Sequence, residues 1–146
     1  MNFQDPFFQR QIIIEHYATP NNQGLKNDKD YQLVYQKSDT CMDNFQIELK
    51  AKDNIILDIN FEGQGCSIST ASLDIMINSI ENKSFEEANK IIDEYKNMLT
   101  EKEYNIDLLK ELLVFQNVYK QPQRLNCAQI GINGLLKLIN GGNLNG

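Results

Sequence analysis

The strongest constraint on this chain is a change of hydrophobic period near its middle. Phe45, Ile47, Leu49 and Ala51 alternate with Gln46, Glu48 and Lys50, the pattern of a strand with one buried and one wet face. Lys52-Asp53-Asn54 is turn chemistry, and Ile55-Ile56-Leu57-Asp58-Ile59-Asn60-Phe61 resumes a strand. A hairpin over 45–51 and 55–62 follows. Beyond Gly63-Gln64-Gly65 the period becomes helical. Leu73, Met76, Ile77 and Ile80 form one apolar stripe of a helix over 67–82, with Met76 in the core. A hairpin that runs straight into an amphipathic helix makes this an α+β chain.

The remaining segments complete that picture. Asp5-Pro6 is a side-chain cap followed by a proline suited to a first helical position, so a helix spans 6–18. Pro20, Asn21, Asn22 and Gly24 end it. A further strand lies near 31–37. Ser84-Phe85-Glu86-Glu87 is a capping box that opens a helix over 85–98. A shorter helix covers 105–113, and Pro122 opens a last one that ends at Gly141-Gly142. The expected fold is a small three-stranded antiparallel sheet with one wet face, packed on one side by about four or five helices. One domain over 1–146 accommodates it, with 141–146 as a flexible tail. The chain is 41% hydrophobic and 23% charged, ordinary for a globular domain.

A net charge of −6 leaves no basic excess to neutralise phosphates, which argues against a nucleic-acid partner. No run reaches the roughly 18 apolar residues of a membrane span, so no membrane association is expected. Asp5, Arg10 and Glu15 interrupt the apolar N-terminal stretch and break any signal-peptide core. A cytoplasmic location with reduced thiols is expected.

Three cysteines cannot all pair within one chain, and each sits at a special place. Cys41 lies in the loop between the first two strands, Cys66 at the switch from strand to helix, and Cys127 near the start of the last helix. Three thiolates and one carboxylate make a tetrahedral zinc site, and Asp43, two residues after Cys41, can supply the carboxylate. The glycines before Cys66 permit a tight turn and a close backbone approach. Cys66 also stands at the positive end of a helix dipole, where anionic ligands are stabilised. Spacing alone leaves the alternative open that the three thiols are unrelated reduced cysteines.

Local contexts narrow this. Glu15-His16-Tyr17 with Pro20, Asn21 and Gly24, Thr40-Cys41-Met42-Asp43, Phe61-Glu62-Gly63-Gln64-Gly65-Cys66-Ser67-Ile68-Ser69 with Ala71-Ser72, and Pro122-Gln123-Arg124-Leu125-Asn126-Cys127-Ala128 occur in that order. Together they resemble the SufU/IscU family of iron–sulfur assembly proteins, which includes NifU N-terminal-like domains. The resemblance covers roughly 12–140. Met42 stands where the family has glycine. IscU-type scaffolds carry a histidine directly before the last cysteine, whereas this chain has Asn126. Sixty residues separate Cys66 from Cys127, more than in the IscU type. That insertion and Arg124 resemble SufU, the zinc-dependent sulfur-transfer partner of the cysteine desulfurase SufS.

The resemblance implies Cys41, Asp43, Cys66 and Cys127 as zinc ligands. It implies Cys41 as the acceptor of sulfane sulfur and Arg124 as a residue that engages the PLP-dependent desulfurase. Downstream iron–sulfur assembly proteins would be further partners. It also implies that a desulfurase histidine exchanges for one zinc ligand and exposes the nucleophile only in the complex. Two other readings use the same residues: a scaffold for a transient [2Fe–2S] cluster, and a zinc-stabilised interaction module without sulfur chemistry. His16, the only imidazole, is expected to hydrogen-bond or pack near the first helix rather than bind metal. Tyr17 either meets a partner or covers the core. Glu101 to Glu103 form a solvated turn.

Overall fold

The computed structural model describes residues 2–39 and 42–141. Helix α1 (Pro6–Ala18) starts as expected, with Asp5 Oδ1 accepting the Phe7 N–H. Strands β1 (Gln32–Lys37), β2 (Asn44–Lys52) and β3 (Ile55–Gln64) form an antiparallel sheet in the order β1-β2-β3. Asp53 and Asn54 both have positive φ (54° and 63°), as a two-residue hairpin turn that follows the strand twist requires. Helices α2 (Ser67–Ile80) and α3 (Phe85–Leu99) come next. Both bonds of the capping box at Ser84 and Glu87 are made.

Phe45, Ile47, Leu49, Ile59 and Phe61 are buried, and the last helix crosses β1 and β2 while α2 packs on β3. Met76 is fully buried. The outer face is not uniformly wet. Gln46 is exposed, but Glu48 is only 1% exposed. Its carboxylate accepts the backbone N–H groups of Lys26 (2.9 Å) and Asn27 (3.2 Å) and the Asn60 amide (2.8 Å). The segment after α1 folds over the sheet and uses a buried anion as its anchor. Alternation marks Glu48 as outward, but the cover comes from residues more than twenty positions earlier.

The short helix expected over 105–113 is broken. Helix α4 (Ile106–Leu109) stops at Lys110, whose φ is +49°, and a 3₁₀ stretch covers Lys110–Phe115. Leu112, Leu113, Val114 and Phe115 are all buried. Four successive apolar residues point around most of an α-helix, so a regular helix would leave one of them in water. After a second 3₁₀ turn at Val118–Lys120, the expected final helix divides into α5 (Pro122–Leu125) and α6 (Cys127–Gly141). The tail expected over 141–146 begins inside α6 at Gly141, and its remainder lies outside the described residues. Glu101 and Glu103 are exposed, as a solvated turn should be. Among the described residues no helix is long and apolar enough to cross a membrane.

Candidate metal centre

The hairpin register builds the centre. Asn44 faces Gln64 and Phe45 faces Gly63, so the residue before β2, Asp43, meets the residues just after β3. Its carboxylate oxygen Oδ1 accepts the Cys66 N–H at 3.0 Å. Two glycines make this approach possible. Gly63 has φ +133°, and a Cβ there would stand 2.1 Å from the Asn44 carbonyl oxygen. A Cβ on Gly65 would stand 2.3 Å from Ser69 Oγ, 2.6 Å from Phe45 Cζ and 3.2 Å from Asp43 Oδ1. Phe45 is fully buried and cannot yield. Gly65→Ala is therefore expected to destabilise the fold by about 1–3 kcal/mol, seen as a lower urea midpoint at unchanged slope.

Cys66 and Cys127 are each set by a helix start. Cys66 is the N-cap of α2, and its Sγ accepts the Ser69 N–H at 3.4 Å. Cys127 is the first residue of α6, with its Sγ 4.0 Å from the Gln123 carbonyl oxygen. The break after Leu125 is what places this thiol at a helix end. Both thiols thus sit at helix N-termini. A carboxylate oxygen of Asp43 and the sulfurs of Cys66 and Cys127 all lie within 4.8 Å of one another. A tetrahedral zinc with bonds of about 2.0–2.3 Å holds its ligand atoms roughly 3.5–4 Å apart, so a small inward shift closes the set.

One atom shows that the set suits a cation. Asp43 is 4% exposed, yet its Oδ2 has no hydrogen-bond partner among the described residues. A buried carboxylate oxygen without a donor is costly unless a positive charge meets it. Two sulfurs and a carboxylate converging there form a donor set for zinc or a similar thiophilic ion.

The structure brings Asp43, Cys66 and Cys127 together. Cys41 lies outside the described residues. The loop that carries it is closed at its base by the Ser38 N–H donating to the Asp43 carbonyl at 3.0 Å, and Met42 is 89% exposed. Arg124 is half-buried on α5, three residues before Cys127. His16 takes no part in the centre. Its Nδ1 lies 2.6 Å from Asp74 Oδ2 and its Nε2 3.4 Å from Glu111. Tyr17 is 48% exposed and lines a cavity of about 470 Å³ together with Gly63, Gln64 and Gly65. No local motif signals that Asp43 also receives the Cys66 backbone N–H. That bond depends on hairpin register, which becomes visible only once Asn44 and Gln64 are paired.

Comparison with known proteins agrees with this layout. The zinc-dependent sulfurtransferase SufU of Bacillus subtilis is 36% identical over 129 residues, covering 88% of this chain and 86% of that protein. The iron–sulfur cluster assembly scaffold protein IscU of Streptococcus pyogenes is 31% identical over 129 residues, covering 88% and 80%. The crystal structure of an iron–sulfur cluster assembly scaffold protein for the SUF system (FiSufU) from Fervidobacterium islandicum superposes with a TM-score of 0.82 at 26% identity, covering 88% of this chain and 94% of that one. Residues 8–130 match the NifU-like N terminal domain, and the chain belongs to that family.

Proposed function

We propose that this chain is a zinc-dependent sulfur acceptor in iron–sulfur cluster assembly, taking sulfur from a SufS-type cysteine desulfurase. The observation that carries the reading is the buried carboxylate of Asp43, which has an unpartnered Oδ2 and an oxygen within 4.8 Å of the sulfurs of Cys66 and Cys127. Asp43, Cys66 and Cys127 would hold the zinc, with Cys41 as the fourth ligand. Two residues span at most about 7 Å, so Cys41 is tethered within reach of Asp43. When bound, zinc keeps cysteine ligands deprotonated and shields them from oxidation.

In the transfer itself, the Cys41 thiolate attacks the outer sulfur of the desulfurase persulfide. The old S–S bond breaks, a new one forms on Cys41, and the desulfurase cysteine leaves as thiolate. One sulfur atom and its proton move, and nothing is oxidised or reduced overall. Arg124 would help hold the partner beside the centre. The exposed Asn126, where scaffold-type relatives carry histidine, favours sulfur transfer over cluster assembly.

The test is mass spectrometry after incubation with a SufS-type desulfurase and cysteine. One added sulfur on Cys41 is expected in the zinc-bound protein, and none in Cys41→Ala. If Cys41→Ala stimulates the desulfurase as well as wild type does, the acceptor role is wrong. A stable coloured cluster after anaerobic reconstitution, passed on to an apo acceptor, would favour the scaffold reading instead. Bound zinc with neither outcome would leave an interaction module.

A further inference from the structure

Helix α1 is apolar on two sides. Ile12 and Ile13 are buried in the core, while Phe7, Ile14 and Tyr17 are 62%, 59% and 48% exposed. Phe7, Arg10, Ile14 and Tyr17 recur at intervals of three and four, so they form one outward stripe with Arg10 inside it. An exposed apolar stripe of this length marks a contact surface.

Beside the stripe runs a groove of about 270 Å³ between α1, the start of α2, the 3₁₀ segments and α5. Ile13, Ile68, Val114 and Val118 line it, and Arg10 and Arg124 flank it. These are the only two arginines in a chain with 20 acidic residues, yet no carboxylate lines the groove. Neither guanidinium has an ion pair or hydrogen bond among the described residues. The Gln9 and Asn117 amides there are already engaged: Gln9 donates to the Phe3 carbonyl, and Asn117 donates to Gln9. Two uncommitted guanidiniums over an apolar floor are suited to bind carboxylates between apolar side chains. The groove also adjoins the metal centre, since Ile68 follows Cys66 by two residues and Arg124 precedes Cys127 by three.

We propose that this groove and the outward stripe of α1 dock an acidic, apolar-flanked segment of the desulfurase, with Arg10 and Arg124 as its carboxylate-binding groups. The inference rests on the sulfur-acceptor reading for the identity of that partner. It adds Arg10, 114 residues before Arg124, to the docking surface.

Calorimetric binding to a SufS-type desulfurase tests it, with persulfide on Cys41 read in parallel. Arg10→Ala should weaken binding about tenfold and Arg10→Glu more, while zinc content stays at the wild-type value. Ile14→Ser should weaken binding severalfold. Lys52→Ala, at the far end of the hairpin, should bind as wild type does. Binding by Arg10→Ala and Ile14→Ser within twofold of wild type would overturn the proposal. So would an equal loss in Lys52→Ala, which would make the effect one of net charge. Wild type that does not bind at all overturns it too. Wild type that binds through Arg10 but acquires no persulfide leaves the docking surface standing and removes the sulfur-acceptor reading.

Discussion

Asp43→Asn is expected to lower zinc affinity by at least about 100-fold and to leave the metal-free protein as stable as wild type or more so. The two effects have opposite signs because the Asp43 carboxylate suits a metal and not a core. It is buried, and only one of its oxygens is satisfied, by the Cys66 N–H. In the metal-free protein, asparagine keeps a carbonyl oxygen for that N–H and exchanges a buried charge without a donor for a buried neutral amide, which costs less to bury. With Asp43 as a zinc ligand, as proposed, the same change would take an anionic ligand from the ion and leave a weak neutral donor. Competition against a chromophoric chelator measures the affinity, and urea unfolding in excess chelator measures the stability. Metal-free Asp43→Asn less stable than wild type by more than about 1 kcal/mol would show that Asp43 serves the fold rather than the metal. Unchanged zinc affinity would remove it from the ligand set.

That opposition bears on what could be read from the sequence. Features fixed by a few neighbouring residues were legible, because local chemistry decides them. The start of α1 at Asp5-Pro6, the turn at Asp53-Asn54, the capping box at Ser84 and the core position of Met76 all stand where the pattern puts them. Asp43, Cys66 and Cys127 were legible as candidates because each sits at an element end that the pattern also marks, whereas Cys41 lies outside the described residues. What the pattern missed depends on residues distant in the chain. Glu48 is buried by a loop 21 positions earlier, Arg10 shares a groove with Arg124, and His16 meets an aspartate 58 positions away. The break at Lys110 was missed for another reason. Periodicity assumes one buried face, and residues 112–115 have none to spare.

Asp74→Ala should reduce the unfolding free energy by about 3–5 kcal/mol at pH 6.5 and by markedly less at pH 9.5. Asp74 lies on α2 and is fully buried, and four groups converge on its carboxylate. The backbone N–H groups of Asn21 and Asn22 donate at 3.0 Å each, the Asn22 amide at 2.9 Å, and His16 Nδ1 lies at 2.6 Å. The carboxylate thereby ties α1 and the loop after it onto α2, and so sets the position of the helix that carries Arg10 and Tyr17. Hydrogen bonds to Asp74 first and to Glu111 second raise the His16 pKa from 6.5 to about 9, against the opposing effect of burial. The sign follows from that direction. Folding favours the imidazolium, so its contribution is complete below about pH 6.5 and disappears as the pH rises through about 9. A rise of this size corresponds to about 3–4 kcal/mol without screening, and to about 2–3 kcal/mol once the partly exposed Glu111 is allowed for. Asp74→Ala removes the principal partner, so His16 returns toward its ordinary range and the mutant loses most of this dependence. Urea unfolding of both proteins across pH 6.5–9.5 tests it, since their difference cancels every other group that titrates in that window. A difference that stays constant with pH would mean that Asp74 acts through its backbone bonds to the loop and not through the imidazolium. A difference below about 1 kcal/mol at pH 6.5 would show that it does not hold α1 in place.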